Sequence, residues 1–220
     1  MSSRSFTAPA DGFGTLRQFA RRERPLERCE LCSVGLTPGH PHLIELERRK
    51  LLCTCDACAI LFSRQGAARY KRVPRRIRSL RDFHLSDEQW EALSIPIGLA
   101  FFFHSSPLDR VVAFYPSPAG ATESLLPLDS WRGLVARNQE LATMRPDVEA
   151  LLVWGSGALR GDGATEESVE CFLVPIDVCY ELVGELRRQW RGFDGGTEVH
   201  ATLAEFFARV RSRAGTEVDR

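Results

Sequence analysis

Lysine is nearly missing from this 220-residue chain: Lys50 and Lys71 stand alone, and arginine carries almost all of the positive charge. That bias reads as GC-rich coding and excludes little chemistry by itself. Other absences exclude more. The first thirty residues hold no continuous apolar run of the signal-peptide kind, and none follows Arg21-Arg22. The longest apolar stretch, Ile95 to Phe103, is too short to span a bilayer. The expectation is a cytoplasmic protein without membrane insertion. The chain also lacks a P-loop, a G-x-S-x-G elbow and a G-x-G-x-x-G fingerprint. Net charge is zero but unevenly spread. Residues 1–82 hold 17 basic and 8 acidic residues, and the rest of the chain is correspondingly acidic. Two modules, or two faces of one domain, account equally well for that asymmetry.

What the chain does have is seven cysteines, five of them within thirty residues. In a reducing compartment, clustered cysteines bind metal more often than they pair as disulfides. The order is Cys29-x2-Cys32, then His40-x-His42, then Cys53-x-Cys55-x2-Cys58. A Cys-x2-Cys turn supplies two ligands from one curl of backbone, and two such pairs close a tetrahedral zinc site. His42 to Leu46 and Lys50 to Cys53 read as a hairpin around Glu47–Arg49. Asp56 to Phe62 reads as the start of a helix. Knuckle, hairpin, then a helix whose first turn holds the second pair is a treble-clef-like arrangement. The favoured site is one structural zinc on Cys29, Cys32, Cys55 and Cys58. Cys53, His42 and His40 are the substitute or additional ligands. Cys53 and Cys55 lie two residues apart and could share a side. Two zincs sharing a thiolate, or an iron–sulfur cluster, stay open at this point.

The remainder reads as an α+β domain. A capping box at Ser86 and Gln89 starts a helix. Ile97–His104 and Arg110–Tyr115 form a strand pair, and Asp129 caps a short helix. Glu149–Trp154 and Ser168–Val174 are two more strands, joined by a glycine-rich loop. Asp177 and Thr197 cap two final amphipathic helices. The expected fold is a small antiparallel sheet covered by helices on one face. The predicted organisation is 1–27 flexible or a short basic helix, then 28–82 a cysteine-rich metal-binding module with an Arg-rich connector. An α+β domain over 83–214 follows, with a disordered tail at 215–220.

Three further features invite chemistry. The basic run Arg64–Arg81 suits phosphate contacts and nucleic acid; the plainer reading is a linker docked on the acidic half. Tyr115–Ser124 reads as a turn-rich loop. Cys179 at a helix start, with His200, would suit a thiol enzyme; the plainer reading is a buried cysteine.

Several strings are distinctive together: Cys29-Glu30-Leu31-Cys32, the His-x-His, and Leu51-Leu52-Cys53-Thr54-Cys55-Asp56-Ala57-Cys58. So are Tyr115-Pro116-Ser117-Pro118-Ala119-Gly120, Pro175-Ile176-Asp177-Val178-Cys179-Tyr180, and Trp190-Arg191-Gly192. In these the chain, from about Cys29 to Arg211, resembles an uncharacterised family of unknown function. Its members are mostly actinobacterial and often encoded beside NiFe-hydrogenase genes. The resemblance implies a role near a NiFe hydrogenase or its maturation factors, and it assigns no residue a role. The function read is a zinc-binding accessory protein that acts by binding a protein partner, with the α+β module presenting the contact surface. The alternatives are a nucleic-acid-binding zinc protein and a metal- or thiol-dependent enzyme.

Overall fold

A computed structural model describes residues 27–63, 69–85, 88, 98–124, 128–155, 169–189 and 196–215. The expected N-terminal helix, the Ser86 capping box, residues 156–167 of the expected glycine-rich loop and residues 216–220 of the expected tail lie outside the described residues; Gly215, read as the first residue of that tail, ends the last helix instead.

Two antiparallel sheets organise the described residues. The smaller begins with β1 (His42–Glu45) and β2 (Lys50–Cys53), the expected hairpin. Arg49 sits in its turn with φ 51, a left-handed conformation that tight turns use. The helix α1 (Asp56–Phe62) follows as read. A third strand, β3 (Tyr70–Arg72), adds to the free edge of β1. This corrects the reading of Lys71 and Arg72 as connector. Tyr70 packs edge-on against Phe62 of α1, 6.2 Å between ring centres, so the strand closes the small layer instead of leaving it.

The larger sheet contains β4 (Arg78–Ser79), β5 (Leu99–Ser105), β6 (Arg110–Ser117), β7 (Gly120–Ser124), β8 (Glu149–Trp154) and β9 (Glu170–Pro175). Its order is β4-β9-β8-β5-β6-β7, with every pairing antiparallel. The four strands expected from the sequence are the middle four. Both edges, β4 and β7, are additions. β4 is two residues long and sits in the arginine run. β7 is polar, and with β6 it turns the expected loop at Tyr115–Ser124 into a hairpin around Gly120, φ 119. Short, polar edge strands carry little alternating signal, which is why they read as loops. Pro116 is tolerated because it lies beyond Phe114, where β6 no longer pairs with β5.

Helices cover both faces of this sheet, not one. Phe101, Phe103, Leu152, Phe172 and Val174 point to one side. There they meet Leu182 and Leu186 of α3 (Ile176–Gln189) and Leu203, Phe206 and Phe207 of α4 (Gly196–Gly215). Ala100, Phe102, Leu151, Val153 and Leu173 point to the other. There they meet Trp131 and Leu134 of α2 (Leu128–Arg137) and Leu141 of a 3-10 turn at Gln139–Thr143. A sheet buried on both faces needs strands apolar at every position, and the runs Leu99–Phe103 and Ala150–Val153 have that character.

The small sheet shares the first of these cores. Ile44, Leu46, Val73 and Ile77 are buried with the α3 side of the large sheet. On its other face, Leu43 and Leu52 pack on Ala59 of α1. The hairpin is thus sandwiched between α1 and α3, and that placement builds the sites below.

Candidate metal centre

The sulfur atoms of Cys29, Cys32, Cys55 and Cys58 all lie within 4.8 Å of one another. Local backbone explains each position. Cys29 and Cys32 belong to a tight turn closed by Ser33 N–H to the Cys29 carbonyl at 2.7 Å and Cys29 N–H to the Val34 carbonyl at 2.8 Å. Ser33 takes φ 65 to make that turn. The turn is tied to the hairpin by Glu30 N–H to the Cys53 carbonyl, 2.9 Å. Cys55 is the N-cap of α1, and its Sγ accepts the Cys58 N–H at 3.4 Å. Cys58 follows three residues on, one turn into the helix.

The Cys32 and Cys55 sulfurs are 3.7 Å apart. A disulfide needs about 2.05 Å. Two sulfurs on one tetrahedral ion, each at about 2.3 Å, sit about 3.8 Å apart. All four cysteines are free thiols, with Cys29 and Cys58 buried. Burial works to raise the Cys29 thiol, but hydrogen bonds from the backbone of Cys55, Leu31 and Cys32 outweigh it and bring it down to about 6. Burial, then hydrogen bonding with Cys32, Cys55 and Cys29, pushes Cys58 up to about 12. One thiolate forms readily here, and four together require a cation. The donor set therefore fits a metal ion such as zinc.

His40, His42 and Cys53 do not join that group. They form a second one, whose ligand atoms also lie within 4.8 Å of one another. Strand β2 ends at Cys53, and after Thr54 the chain turns into the cap of α1. Cys53 and Cys55 therefore face different ways, although two residues apart. Sequence reasoning missed two carboxylates beside these groups. Glu30 accepts the Cys53 N–H at 2.8 Å and Lys50 Nζ at 2.9 Å. Asp177 accepts His42 Nδ1 at 2.7 Å. Asp177, expected as the cap of this helix, lies instead inside the first turn of α3, which already begins at Ile176. Its partner is 135 residues away, which no local pattern reveals.

The other candidates have ordinary roles. The basic run is largely engaged. Arg69 bonds buried Glu45 at 2.8 Å, Lys71 bonds buried Asp147 at 2.5 Å, and Arg76 approaches buried Glu149 at 3.4 Å. Arg64 lies outside the described residues. Cys179 is fully buried, and burial pushes its thiol well above the usual range; Cys171 is raised for the same reason. Neither is a poised nucleophile.

Comparison with curated proteins gives no match, and comparison with solved structures gives none. A family model does match, over residues 28–214, from one residue before Cys29 to one residue short of the end of α4. That span contains both ligand groups and both sheets, and the chain belongs to the family described as "Family of unknown function (DUF5947)".

Proposed function

We propose that this protein is a metal-binding accessory protein in which one structural zinc on Cys29, Cys32, Cys55 and Cys58 shapes a surface for a protein partner. The convergence of two separate Cys-x2-Cys turns, with a sulfur–sulfur edge of 3.7 Å, carries the reading. All four sulfurs lying within 4.8 Å of one another suits one ion better than an iron–sulfur cluster, whose sulfide-bridged irons would hold thiolates on different irons farther apart. With four protein donors on one ion, no position is left for water, and the role is structural.

Exposed apolar side chains favour the cysteine module as the contact surface. Val34 in the knuckle is 50% exposed, and Ile60 and Leu61 on α1 are 58% and 60% exposed. They flank the cysteines, on the elements a zinc would hold still. Resemblance to a family encoded beside NiFe-hydrogenase genes makes a hydrogenase or one of its maturation factors the partner to test. Nucleic-acid binding ranks second, since the ion pairs of Arg69, Lys71 and Arg76 occupy the groups that would contact phosphate.

The test is metal analysis joined to a binding assay. Purified full-length protein should carry zinc that Cys32→Ser and Cys58→Ser lose. Ile60→Asp with Leu61→Asp should keep the zinc and abolish binding to purified hydrogenase subunits. Protein whose tetracysteine variants keep the same metal content as the parent refutes the structural-zinc reading.

A further inference from the structure

The second ligand group has a different character from the first. His42 and Cys53 are direct cross-strand partners in the β1–β2 ladder, so their side chains stand side by side on one face. That face looks away from α1 and toward α3. His40 precedes the strand, and its ring meets the His42 ring edge-on, with centres 5.0 Å apart at 89°.

Each imidazole is oriented from behind. His40 Nδ1 lies 3.1 Å from the Thr37 carbonyl, which can only accept, so Nδ1 carries the proton. His42 Nδ1 lies 2.7 Å from the Asp177 carboxylate, and donation there is favoured in the same way. In the neutral form of each ring, that leaves Nε2 as the acceptor atom. In His40 this atom is buried and has no hydrogen-bond partner among the described residues, and the side chain is only 9% exposed. A buried acceptor without a donor is unfavourable unless something fills it. Carbonyl or carboxylate behind Nδ1, with Nε2 in front, is the arrangement by which proteins aim histidine at a metal.

The group opens on a cleft of about 610 Å³ between the hairpin and α3, lined by His40, His42, Cys53, Asp177, Tyr180 and Arg213 among others. We infer that His40, His42 and Cys53 form a second zinc site, distinct from the tetracysteine centre, with its fourth position open to this cleft. Two imidazoles and one thiolate suit zinc, and three protein ligands with a vacant fourth position are the pattern of ions that bind water or an exchangeable ligand. The ligand class is a small Lewis base, either water or an anionic group entering the cleft. Asp177 is a positioning residue: it holds the His42 tautomer and touches no metal.

The experiment uses the full-length chain, and the probes are zinc, cobalt(II) and azide. Wild-type protein should bind two equivalents of zinc per chain. The His40→Ala/His42→Ala double variant should bind one, still removed by Cys32→Ser. In the cobalt form, azide should shift the visible bands of the wild type and leave those of the double variant unchanged. Asp177→Asn should weaken the second equivalent about 10- to 100-fold while the melting temperature of the one-metal form stays unchanged. Equal metal content in wild type and double variant overturns the site, and so does cobalt protein blind to azide. Loss of the tetracysteine metal alone would leave one histidine-dependent equivalent, so the two readings fail separately.

Discussion

The two sheets of this protein are held by different physics. The six-stranded sheet is a layered core in which Phe101, Phe102, Leu151 and Leu152 are almost wholly buried and apolar helices cover both faces. The cysteine module has very little of this. Its private clusters are Cys29, Leu36 and Cys58 on one side and Leu43, Leu52 and Ala59 on the other. A core that small cannot offset the conformational entropy of ordering its loops. The large sheet is held by burial; the module leans on the α3 face on one side and, in the proposed reading, on metal ligation on the other.

Removing the proposed zinc should break the comparison most sharply. A structural zinc contributes on the order of 10–16 kcal/mol of apparent binding energy, which in such modules is folding energy. Cys29→Ser or Cys58→Ser should collapse hydrogen-exchange protection of residues 29–62 and leave that of β5, β8 and β9 in place. Loss of protection in both sheets together would show that they are one cooperative unit.

A core truncation should act the other way round. Phe102 is fully buried and stacks on Trp131, with ring centres 5.8 Å apart. Phe102→Ala should lower global stability by about 3–5 kcal/mol in urea denaturation, with zinc stoichiometry of the folded protein unchanged.

The seam between the regions should show an intermediate effect. Asp147 is buried and accepts both Lys71 Nζ at 2.5 Å and the Ser106 N–H at 2.7 Å. Asp147→Ala leaves the Ser106 N–H without its acceptor and removes the shortest of the Lys71 contacts, sparing the longer ones to Ser106 Oγ at 3.2 Å and the Pro146 carbonyl at 3.5 Å. We expect a loss of about 1–3 kcal/mol, with exchange of β3 amides speeding up before those of β8.

The smallest effect belongs to the surface of the large domain. Arg209 bonds Glu185 at 2.7 Å but is half-exposed. Arg209→Ala should cost no more than about 1 kcal/mol, and less in high salt. Iodoacetamide should likewise leave Cys171 and Cys179 unmodified in native protein, because burial keeps both thiols protonated.

Much of this was legible in the residues. The hairpin, α1, the four central strands and the apolar faces of α3 and α4 all follow from periodicity, and the tetracysteine group follows from spacing. The edges were not legible. Arg78–Ser79 and Gly120–Ser124 become strands because a neighbouring strand offers them hydrogen bonds, and no side-chain pattern announces that. Cover on the second face was also hidden, since Trp131 and Leu134 of α2 are apolar whichever way that helix docks.

What the chain determined by itself is the tetracysteine centre, because ligands three residues apart on a knuckle and on a helix start are placed by local backbone geometry. What only the tertiary structure decided is the division of seven candidate ligands into two groups. A strand that stops at Cys53 turns Cys55 away from it. The packing of α3 against the hairpin brings Asp177 behind His42 and opens a cleft in front of Cys53. Contacts across 135 residues depend on how layers dock, and docking is a property of whole faces that no short motif contains.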